Sequence, residues 1–335
     1  MSKNSKEEYM KRIFITGATG FLGHYIIDEL KNDYELIAYG RNADKLKELY
    51  SKNVHIFRGD LNNEKALYKA MKKADIVVHA AALSTVWGRF KDFENANVRG
   101  TESVIKTCKK AGIKRIIFIS SPSIYSAKKD NVNIKEDSAP KKNNLNYYIK
   151  TKLICENLIK KSKLDYTILR PRGLFGVGDT SIIPRFIQLS NGDGIPLLNG
   201  GKHLADLTCV ENVAFAIRLC IENDISIEQI YNVSNGEPMA FYDLVTKLFK
   251  ELNLEPKFKK INPTLLLAIT YIMETFYKIF KIKNEPVLTK YKYNLLRYSQ
   301  TLSIDKITNE LGYKPKLSID EGIKKYAKYY KEQKS

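Results

Sequence analysis

The chain has 335 residues, of which 44% are hydrophobic and 28% charged, an ordinary mixture for a globular protein with a large core. It carries 56 basic and 37 acidic residues, which gives a formal net charge of +19. Lysine supplies most of the excess and is scattered along the chain, whereas proteins that read nucleic acid cluster their charge and use arginine heavily. The composition therefore argues against a nucleic-acid partner and favours a solvated, lysine-rich surface. Attraction of anionic small substrates or cofactors is the next interpretation.

The cysteines and the amino-terminal segment bear on location. The cysteines form no CxxC pair and have no regular spacing; they are Cys108, Cys155, Cys209 and Cys220. The amino-terminal sequence MSKNSKEEYMKR is polar and contains no apolar core of the signal-peptide type. These features predict a cytoplasmic protein with reduced core thiols and no metal site.

The most apolar stretch is PTLLLAITYIMETFYKIF, at residues 263–280. It is 18 residues long and includes Glu274 and Lys278, so it is too short and too charged for a transmembrane helix. We predict an amphipathic helix. Contact with a membrane surface is a less favoured alternative, which rests on the basic residues that flank the apolar stretch.

Short apolar runs alternate with amphipathic helical patterns through the first half of the chain. The predicted strands lie at 12–16, 35–39, 54–58, 75–79, 114–120 and 165–170. Runs that are apolar on both faces and separated by helices predict a parallel sheet covered on both sides. Right-handed crossovers then give an α/β fold with a doubly wound parallel sheet of the Rossmann type.

This alternation stops after residue 170, where segments rich in Gly, Pro and Asn predict loops. A helix at 211–222 and a strand at 229–233 indicate a return to the sheet. We therefore predict two units. They are a dinucleotide-binding domain of residues 11–170 with a return segment at about 206–234, and a smaller, mostly helical substrate-binding lobe of residues 171–205 and 235–330.

The segment TGATGFLG lies directly between a predicted strand and a predicted helix. Its glycines are spaced GxxGxxG. Gly17 permits a tight turn, Gly20 lets the backbone approach a pyrophosphate, and Gly23 lets the helix pack close to the strand. The pyrophosphate would then lie at the positive helix N-terminus, so the segment predicts dinucleotide binding.

The ends of the next three strands suggest which dinucleotide binds. No acid follows the second strand; Arg41 stands there instead, and its guanidinium suits a ribose 2′-phosphate, which favours NADP over NAD. Asp60 and its neighbour Leu61 follow the third strand, where they could meet the adenine. Small residues at the end of the fourth strand, Ala80 and Ala81, leave room for the nicotinamide ribose. The alternatives are a surface role for Arg41, a helix N-cap for Asp60, and helix–sheet packing for the alanines.

The segment LNYYIKTKL contains a candidate acid–base pair. Hydride transfer at a carbon that bears oxygen needs a proton donor or acceptor, and a tyrosine can serve if its pKa falls from about 10. A nearby lysine ammonium lowers a tyrosine pKa. Tyr148 has Lys152 at position i+4 of the predicted helix, whereas Tyr147 has the uncharged Thr151 there. Tyr148 is therefore the candidate, and Lys150 is interpreted as a solvated residue on another side of the helix.

Ser121 lies just past the fifth strand, at the edge where a doubly wound sheet binds its ligands. Its hydroxyl could bind the substrate oxygen and stabilise charge that develops there. Ser123 is the second candidate for this role. Turn formation beside Pro122 would explain either serine without any chemistry.

Together, TGATGFLG, SSPSIY, YIKTK, LRPRGLFG and DLTCVENVA resemble the extended short-chain dehydrogenase/reductases, the NAD-dependent epimerase/dehydratase family. AALSTVWGRF, ANVRGT and the helix after Pro263 resemble its 3β-hydroxysteroid dehydrogenase branch. The resemblance implies a catalytic triad of Ser121, Tyr148 and Lys152. It also implies pyrophosphate contacts at Gly17, Gly20, Phe21 and Leu22, and a homodimer as one option. Asn97 resembles a family asparagine near the site, with no role assigned to it.

We expect an NADP-dependent oxidoreductase, with NAD as the alternative cofactor, that interconverts a ketone and a secondary alcohol on a small apolar substrate, steroid-like or β-keto acyl. The candidate pocket residues are Trp87, Phe90, Leu174, Phe175 and the helix at 263–280. A nucleotide-sugar epimerase or dehydratase with tightly bound NAD is the first alternative. A cofactor-sensing protein without turnover is the second, because a fold does not determine function.

Overall fold

The structure is a computed structural model that describes residues 10–334; the polar start of the chain, residues 1–9, lies outside this range. The strands are β1 (Arg12–Thr16), β2 (Glu35–Gly40), β3 (Val54–Arg58), β4 (Ile76–His79), β5 (Arg115–Ile119), β6 (Asn131–Ile134), β7 (Asp165–Pro171), β8 (Leu174–Phe175), β9 (Ile195–Leu197), β10 (Leu204–Ala205), β11 (Thr208–Cys209), β12 (Gln229–Val233), β13 (Met239–Ala240), β14 (Phe258–Lys260) and β15 (Gln300–Leu302).

The helices are α1 (Phe21–Leu30), α2 (Ala43–Leu49), α3 (Glu64–Met71), α4 (Phe90–Phe93), α5 (Gly100–Ala111), α6 (Tyr147–Lys160), α7 (Ile183–Asn191), α8 (Val210–Glu222), α9 (Phe241–Glu251), α10 (Pro263–Ile279), α11 (Lys290–Arg297), α12 (Asp305–Leu311) and α13 (Ile319–Glu332). A π-helical turn, Glu94–Arg99, joins α4 to α5. Within the described residues, no helix is long and apolar enough to cross a membrane.

Seven of the strands form one parallel sheet in the order β12-β7-β5-β4-β1-β2-β3. Alternate residues of β1 bury opposite faces of this sheet: Ile13 and Ile15 pack with α1 and α8, and Phe14 packs with α3 and α5. Apolar side chains on both faces explain why helices cover the sheet on both sides. The structure confirms the predicted Rossmann-like fold class.

The strand order reverses between β1 and β4, because β2 and β3 extend in one direction and β5, β7 and β12 in the other. The carboxyl ends of β1, β4 and β5 are therefore neighbours at the point where doubly wound sheets bind ligands. The segments that follow these three strands carry Gly17, Ala80 and Ser121. This topology places the glycine turn beside the candidate catalytic residues.

A second group of elements has its own apolar cluster, built mainly from α7, α9 and α13 around the buried Phe175. Short two-stranded pairs accompany these helices: β8 with β11, β9 with β14, β10 with β13 and β6 with β15. The sequence pattern did not predict α7, since its few apolar residues stand between two segments rich in Gly, Pro and Asn. The return segment does reach the sheet, where α8 packs on the sheet cluster and β12 pairs with β7.

Candidate active site

The glycine turn after β1 is packed too tightly for larger residues at two positions. Gly17 has a φ of +72°, and a Cβ atom there would lie 2.8 Å from the backbone of Ala81. A Cβ atom on Gly23 would lie 2.3 Å from the carbonyl oxygen of Gly17. Gly20 closes the turn by donating its N–H to that same oxygen at 2.9 Å. The turn therefore brings bare backbone to the carboxyl end of β4.

The N-terminus of α1 emerges from this turn without a side-chain cap. Gly20 is the N-cap residue, and its carbonyl accepts from the N–H of His24 at 3.2 Å. Helix geometry leaves the N–H groups of Phe21, Leu22 and Gly23 without acceptors inside the helix. These donors and the positive end of the helix fit an anionic pyrophosphate. The turn and the helix thus fit a dinucleotide.

Arg41 extends into solvent beyond β2, with 80% of its side chain exposed and its guanidinium 4.0 Å from the Asp60 carboxylate. Asp60 does not cap α3, because Asn63 is the N-cap residue; Asp60 accepts instead from the N–H of Asn62 at 2.9 Å. Leu61 packs against the apolar cluster on one sheet face. Arg41 and Asp60 thus face each other at the ends of β2 and β3, while Leu61 contributes mainly to helix–sheet packing.

A buried chain of hydroxyl and imidazole groups holds the segment after β4. Thr16 Oγ1 accepts from the N–H of Ala81 at 3.1 Å. It lies 2.8 Å from Nδ1 of His79, so we infer that the Thr16 hydroxyl donates a hydrogen bond to that ring nitrogen. The other ring nitrogen then donates to Thr101 at 3.0 Å. Burial lowers the pKa of His79 to about 3, so the ring is neutral. This chain fixes Ala80 and Ala81 against the glycine turn; the histidine in HAAA was the sequence signal for it.

The three candidate catalytic side chains converge at the end of β5. The Ser121 hydroxyl lies 2.8 Å from the hydroxyl of Ser123 and is near enough to Tyr148 to lower the pKa of its hydroxyl. Lys152 donates from Nζ to the carbonyl of Ile119 at 2.8 Å, and its Nζ lies 5.9 Å from the centre of the Tyr148 ring. The structure therefore brings Ser121, Tyr148 and Lys152 together, and Ser123 contacts Ser121.

Tyr147 and Tyr148 occupy different environments, although they are neighbours in the chain. Tyr147 is exposed, and its ring lies 5.4 Å from that of Phe90. Lys150 covers the same Phe90 ring, with Nζ 4.6 Å from its centre. Lys150 is thus half-buried against an aromatic ring and not simply solvated. Phe90 packs beside the exposed tyrosine, which leaves Tyr148 as the tyrosine of the site.

Burial dominates the protonation of this group of residues. It raises the pKa of Tyr148 to about 12, although the hydrogen bond from Ser121 acts in the opposite direction. Burial also lowers the pKa of Lys152 to about 8, although the nearby Cys155 and Glu156 act to raise it. Among these protein groups by themselves, the expected lowering of the Tyr148 pKa by Lys152 is not seen, because burial dominates and Lys152 is directed at a carbonyl.

A buried ion pair that the sequence reasoning missed anchors α6 to the sheet. Arg170 donates from Nε to Oε1 of Glu156 at 2.9 Å and from a terminal nitrogen to Oε2 at 2.6 Å, and Ser120 donates to the same carboxylate at 2.6 Å. Glu156 lies one helical turn beyond Lys152. The pair therefore ties the helix of the candidate triad to the ends of β5 and β7. Arg170, the first arginine of the LRPRG segment, was the available sequence signal for this pair.

Asn97 is buried in the π-helical turn and joins two segments of the site. Its Oδ1 accepts from the N–H of Leu83 at 2.7 Å, and its Nδ2 donates to Thr151 Oγ1 at 3.0 Å. It thereby connects the loop after β4 to α6. These contacts make Asn97 a positioning residue. Its partner Thr151 lies about one turn of α6 after Tyr148.

The residues proposed for an apolar pocket do not form one group. Phe175 is fully buried in the cluster of the second lobe, and Leu174 packs against the sheet cluster, so neither lines a cleft. Trp87 does meet the end of α10, because its indole N–H donates to the carbonyl of Ile282 at 3.0 Å and its ring lies 6.0 Å from Tyr277.

All four cysteines are buried free thiols.

A doubly wound sheet with a glycine turn at its reversal point and a Ser–Tyr–Lys group at the next strand end defines a dinucleotide-dependent Rossmann-fold protein. A sequence profile of the NAD dependent epimerase/dehydratase family matches residues 13–234. The chain belongs to this family, in the extended short-chain dehydrogenase/reductase branch, as the sequence motifs predicted.

Two relatives carry oxidoreductase names. A 2-alkyl-3-oxoalkanoate reductase of Shewanella oneidensis is 28% identical over 93% of this chain and 84% of its own length. A decarboxylating sterol-4-alpha-carboxylate 3-dehydrogenase of Dictyostelium discoideum is 28% identical over 94% of this chain and 99% of its own length. A UDP-glucuronic acid 4-epimerase of Bacillus cereus, solved with NAD, superposes with a TM-score of 0.76 at 21% identity over 97% of this chain and its own full length. This last likeness concerns the fold alone.

Proposed function

We propose that this protein is an NADP-dependent oxidoreductase that interconverts a ketone and a secondary alcohol on a small apolar substrate of the β-keto acid or steroid type. The observation that carries the proposal is the convergence of Ser121, Tyr148 and Lys152 at the carboxyl end of β5. The group lies beside a glycine turn that fits a dinucleotide. The names of the two relatives support the same reaction class.

In the proposed reaction, Tyr148 exchanges the proton of the reacting oxygen. A bound nicotinamide dinucleotide supplies the hydride for reduction or accepts it in oxidation. During reduction, the Tyr148 hydroxyl gives its proton to the carbonyl oxygen as negative charge develops there, and the Ser121 hydroxyl holds that oxygen. Lys152 keeps positive charge near the resulting phenolate. Because burial raises the pKa of Tyr148 to about 12, the tyrosine begins as the proton donor.

Arg41 supports NADP as the cofactor. It extends from the end of β2, where a ribose 2′-substituent would lie in this fold, and its guanidinium offers several donors in one plane. Its guanidinium lies 4.0 Å from the Asp60 carboxylate. NAD is the alternative, as in the solved epimerase of the same fold.

A buried arginine supports a substrate that carries a carboxylate. Arg172 follows β7, beside the end of β5, and no carboxylate of residues 10–334 lies within 4.0 Å of its guanidinium. Burial raises the pKa of Tyr291, and the nearby Arg172 opposes that rise; Tyr291 in turn contributes to raising the pKa of Tyr148. The charge of Arg172 thus acts on Tyr291, whose own electrostatic effect reaches Tyr148, and it also favours the ionised form of the buried Asp206. A 3-oxoalkanoate carries both a ketone and a carboxylate, as the name of one relative states.

The first experiment identifies the cofactor. The purified protein is denatured, any released nucleotide is identified, and the emptied protein is titrated with NADPH and NADH. We expect an empty protein that binds NADPH more tightly and oxidises it in the presence of 3-oxo acids or steroid ketones. Release of about one NAD per chain would instead favour a nucleotide-sugar epimerase, since such enzymes regenerate a bound cofactor in every cycle.

The second experiment compares the two adjacent tyrosines. We expect Tyr148→Phe to lower kcat by roughly 10²–10⁴-fold, the usual contribution of a positioned acid or base. Tyr147→Phe is the matched control and should keep the activity, because Tyr147 is exposed. Unchanged turnover in Tyr148→Phe would contradict the proposed role. Retained NADPH binding with no turnover in the wild type would favour a cofactor sensor.

A further inference from the structure

Helix α10 exposes an apolar side, while its buried side carries both apolar and polar residues. The exposed fractions are 57% for Leu265, 40% for Ile269, 71% for Ile272, 50% for Phe276 and 68% for Ile279. These residues are spaced by alternating steps of four and three, so they form one stripe along the helix. A surface helix of a globular protein ordinarily directs such a stripe toward the core. We call these five residues the outer stripe.

The inward side of α10 is held by apolar packing of Leu266 and by polar contacts. Glu274 is buried, and its carboxylate accepts from the N–H of Lys290 at 3.3 Å, with Lys278 Nζ at 3.6 Å. Thr270, also buried, donates to the carbonyl of Leu266 at 2.7 Å. Rotation of the helix to bury the outer stripe would break the contact of Glu274 with Lys290 and would expose Leu266. The orientation of α10 is therefore fixed by its inner side, and the exposure of the stripe follows from it.

The apolar surface extends beyond the helix and is bordered by lysines. Phe280 is exposed next to the outer stripe, with its ring 4.4 Å from that of Phe276, and Val287 in the following loop is exposed as well. Glu274 is the only acid between Lys257 and Lys283, and it is buried. Exposed lysines flank both ends of α10; they are Lys257, Lys259, Lys260, Lys278, Lys281 and Lys283. The apolar stripe matches the acyl interior of a bilayer surface, and the two cationic ends match its phosphate layer.

We propose that the outer stripe of α10 docks on the surface of an anionic lipid bilayer. The helix lies in the plane of the interface, with its apolar side chains among the acyl chains and its flanking lysines at the lipid phosphates. Charge decides between lipid and a second copy of this chain. Two copies meeting through this face would bring together lysine-rich ends of molecules that each carry a net charge of +19. An anionic surface neutralises the same charges.

The test uses flotation of the full chain with lipid vesicles. Vesicles of phosphatidylcholine alone are compared with vesicles that also contain phosphatidylglycerol, at low and at high salt. The double variant Ile272→Glu, Phe276→Glu disrupts the outer stripe. The double variant Tyr50→Glu, Ile225→Glu is the matched control, because it makes the same charge change at exposed apolar residues elsewhere. Thermal melts and NADPH titration verify that both variants are folded.

We expect the wild type and the control to bind the anionic vesicles at least about tenfold more tightly than neutral vesicles, with a loss at high salt. The outer-stripe variant should lose this binding. Three results would overturn the proposal. The wild type fails to bind; the outer-stripe variant binds as well as the control, which makes the contact one of charge alone; or the wild type forms a dimer that only the outer-stripe variant dissociates.

Discussion

Lys152 donates its ammonium proton to the carbonyl of Ile119 at 2.8 Å, so the buried lysine is bonded to the end of β5 and not to a carboxylate. The nearest carboxylate on its own helix, that of Glu156, is engaged by Arg170 and Ser120. A buried ammonium with one neutral acceptor is poorly compensated. This arrangement explains why burial lowers the pKa of Lys152 to about 8.

The first prediction is that Lys152→Met abolishes turnover and stabilises the fold at pH 7. A fall in pKa from 10.5 to about 8 corresponds to roughly 3 kcal/mol of folding free energy. Loss of the hydrogen bond to Ile119 offsets about 1 kcal/mol, so a net gain of about 2 kcal/mol is expected. Urea unfolding measures it. Lys150→Met, at a half-buried lysine of the same helix, is the control and should change stability by less than about 1 kcal/mol.

The pH dependence of that difference tests the cause. Below pH 8 both folded and unfolded chains hold the Lys152 proton, and the cost of burying it is fully present. Between pH 8 and 10.5 the unfolded chain holds more protons, so wild-type stability rises with pH relative to the variant. The advantage of Lys152→Met should therefore shrink over this window. An advantage that stays constant up to pH 10 would show that the cost does not come from protonation.

The second prediction concerns the ion pair below the triad. Glu156→Gln leaves the buried Arg170 guanidinium without its carboxylate, and we expect a loss of about 3–5 kcal/mol in unfolding free energy. Lys160→Met is the control, since Lys160 lies 3.9 Å from the same carboxylate but is partly exposed, and should cost less than about 1 kcal/mol. The double variant Glu156→Leu, Arg170→Met should recover much of the loss. Equal effects of Glu156→Gln and Lys160→Met would contradict this account.

The sheet and the position of the triad follow from local patterns in the sequence. Apolar runs such as RIFIT alternate their side chains between two covered faces, and this alternation survives in Ile13, Phe14 and Ile15. The i, i+4 spacing distinguished Tyr148 from Tyr147, which the structure leaves exposed. These features depend on period and on strand order, which a single sequence contains.

The remaining features depend on contacts between distant segments. Glu156 and Arg170 belong to different elements, so no local pattern could pair them. The pKa of Tyr148 depends on burial, which spacing along a helix does not measure. The sequence suggests Phe175 as a pocket residue, because an aromatic residue after a loop has no period that separates core from cleft, but the second-lobe cluster buries it.

The third prediction tests the cofactor. Arg41→Ala should weaken NADPH binding by about tenfold or more, the usual value of charge-assisted hydrogen bonds, and leave NADH binding within about twofold. Fluorescence titration of the emptied protein measures both dissociation constants. Lys52→Ala, which removes an exposed lysine between β2 and β3, controls for general loss of positive charge. Equal weakening of both nucleotides by Arg41→Ala would assign the residue to overall attraction and not to the 2′-phosphate.

The fourth prediction separates carboxylate recognition from catalysis. Arg172→Met should lower kcat/KM for a 3-oxo acid by about 10²-fold, as expected when a buried charge pair with the substrate is lost, yet leave a methyl ketone of the same chain length nearly unchanged. Arg172→Lys should retain part of the activity on the acid, because it keeps the charge but not the paired donors. Arg185→Met, at a more exposed arginine on α7, is the matched control. An equal loss on acid and methyl ketone would make Arg172 a structural residue. No loss on either substrate would place the carboxylate elsewhere and would assign the Arg172 charge to the buried Asp206 instead.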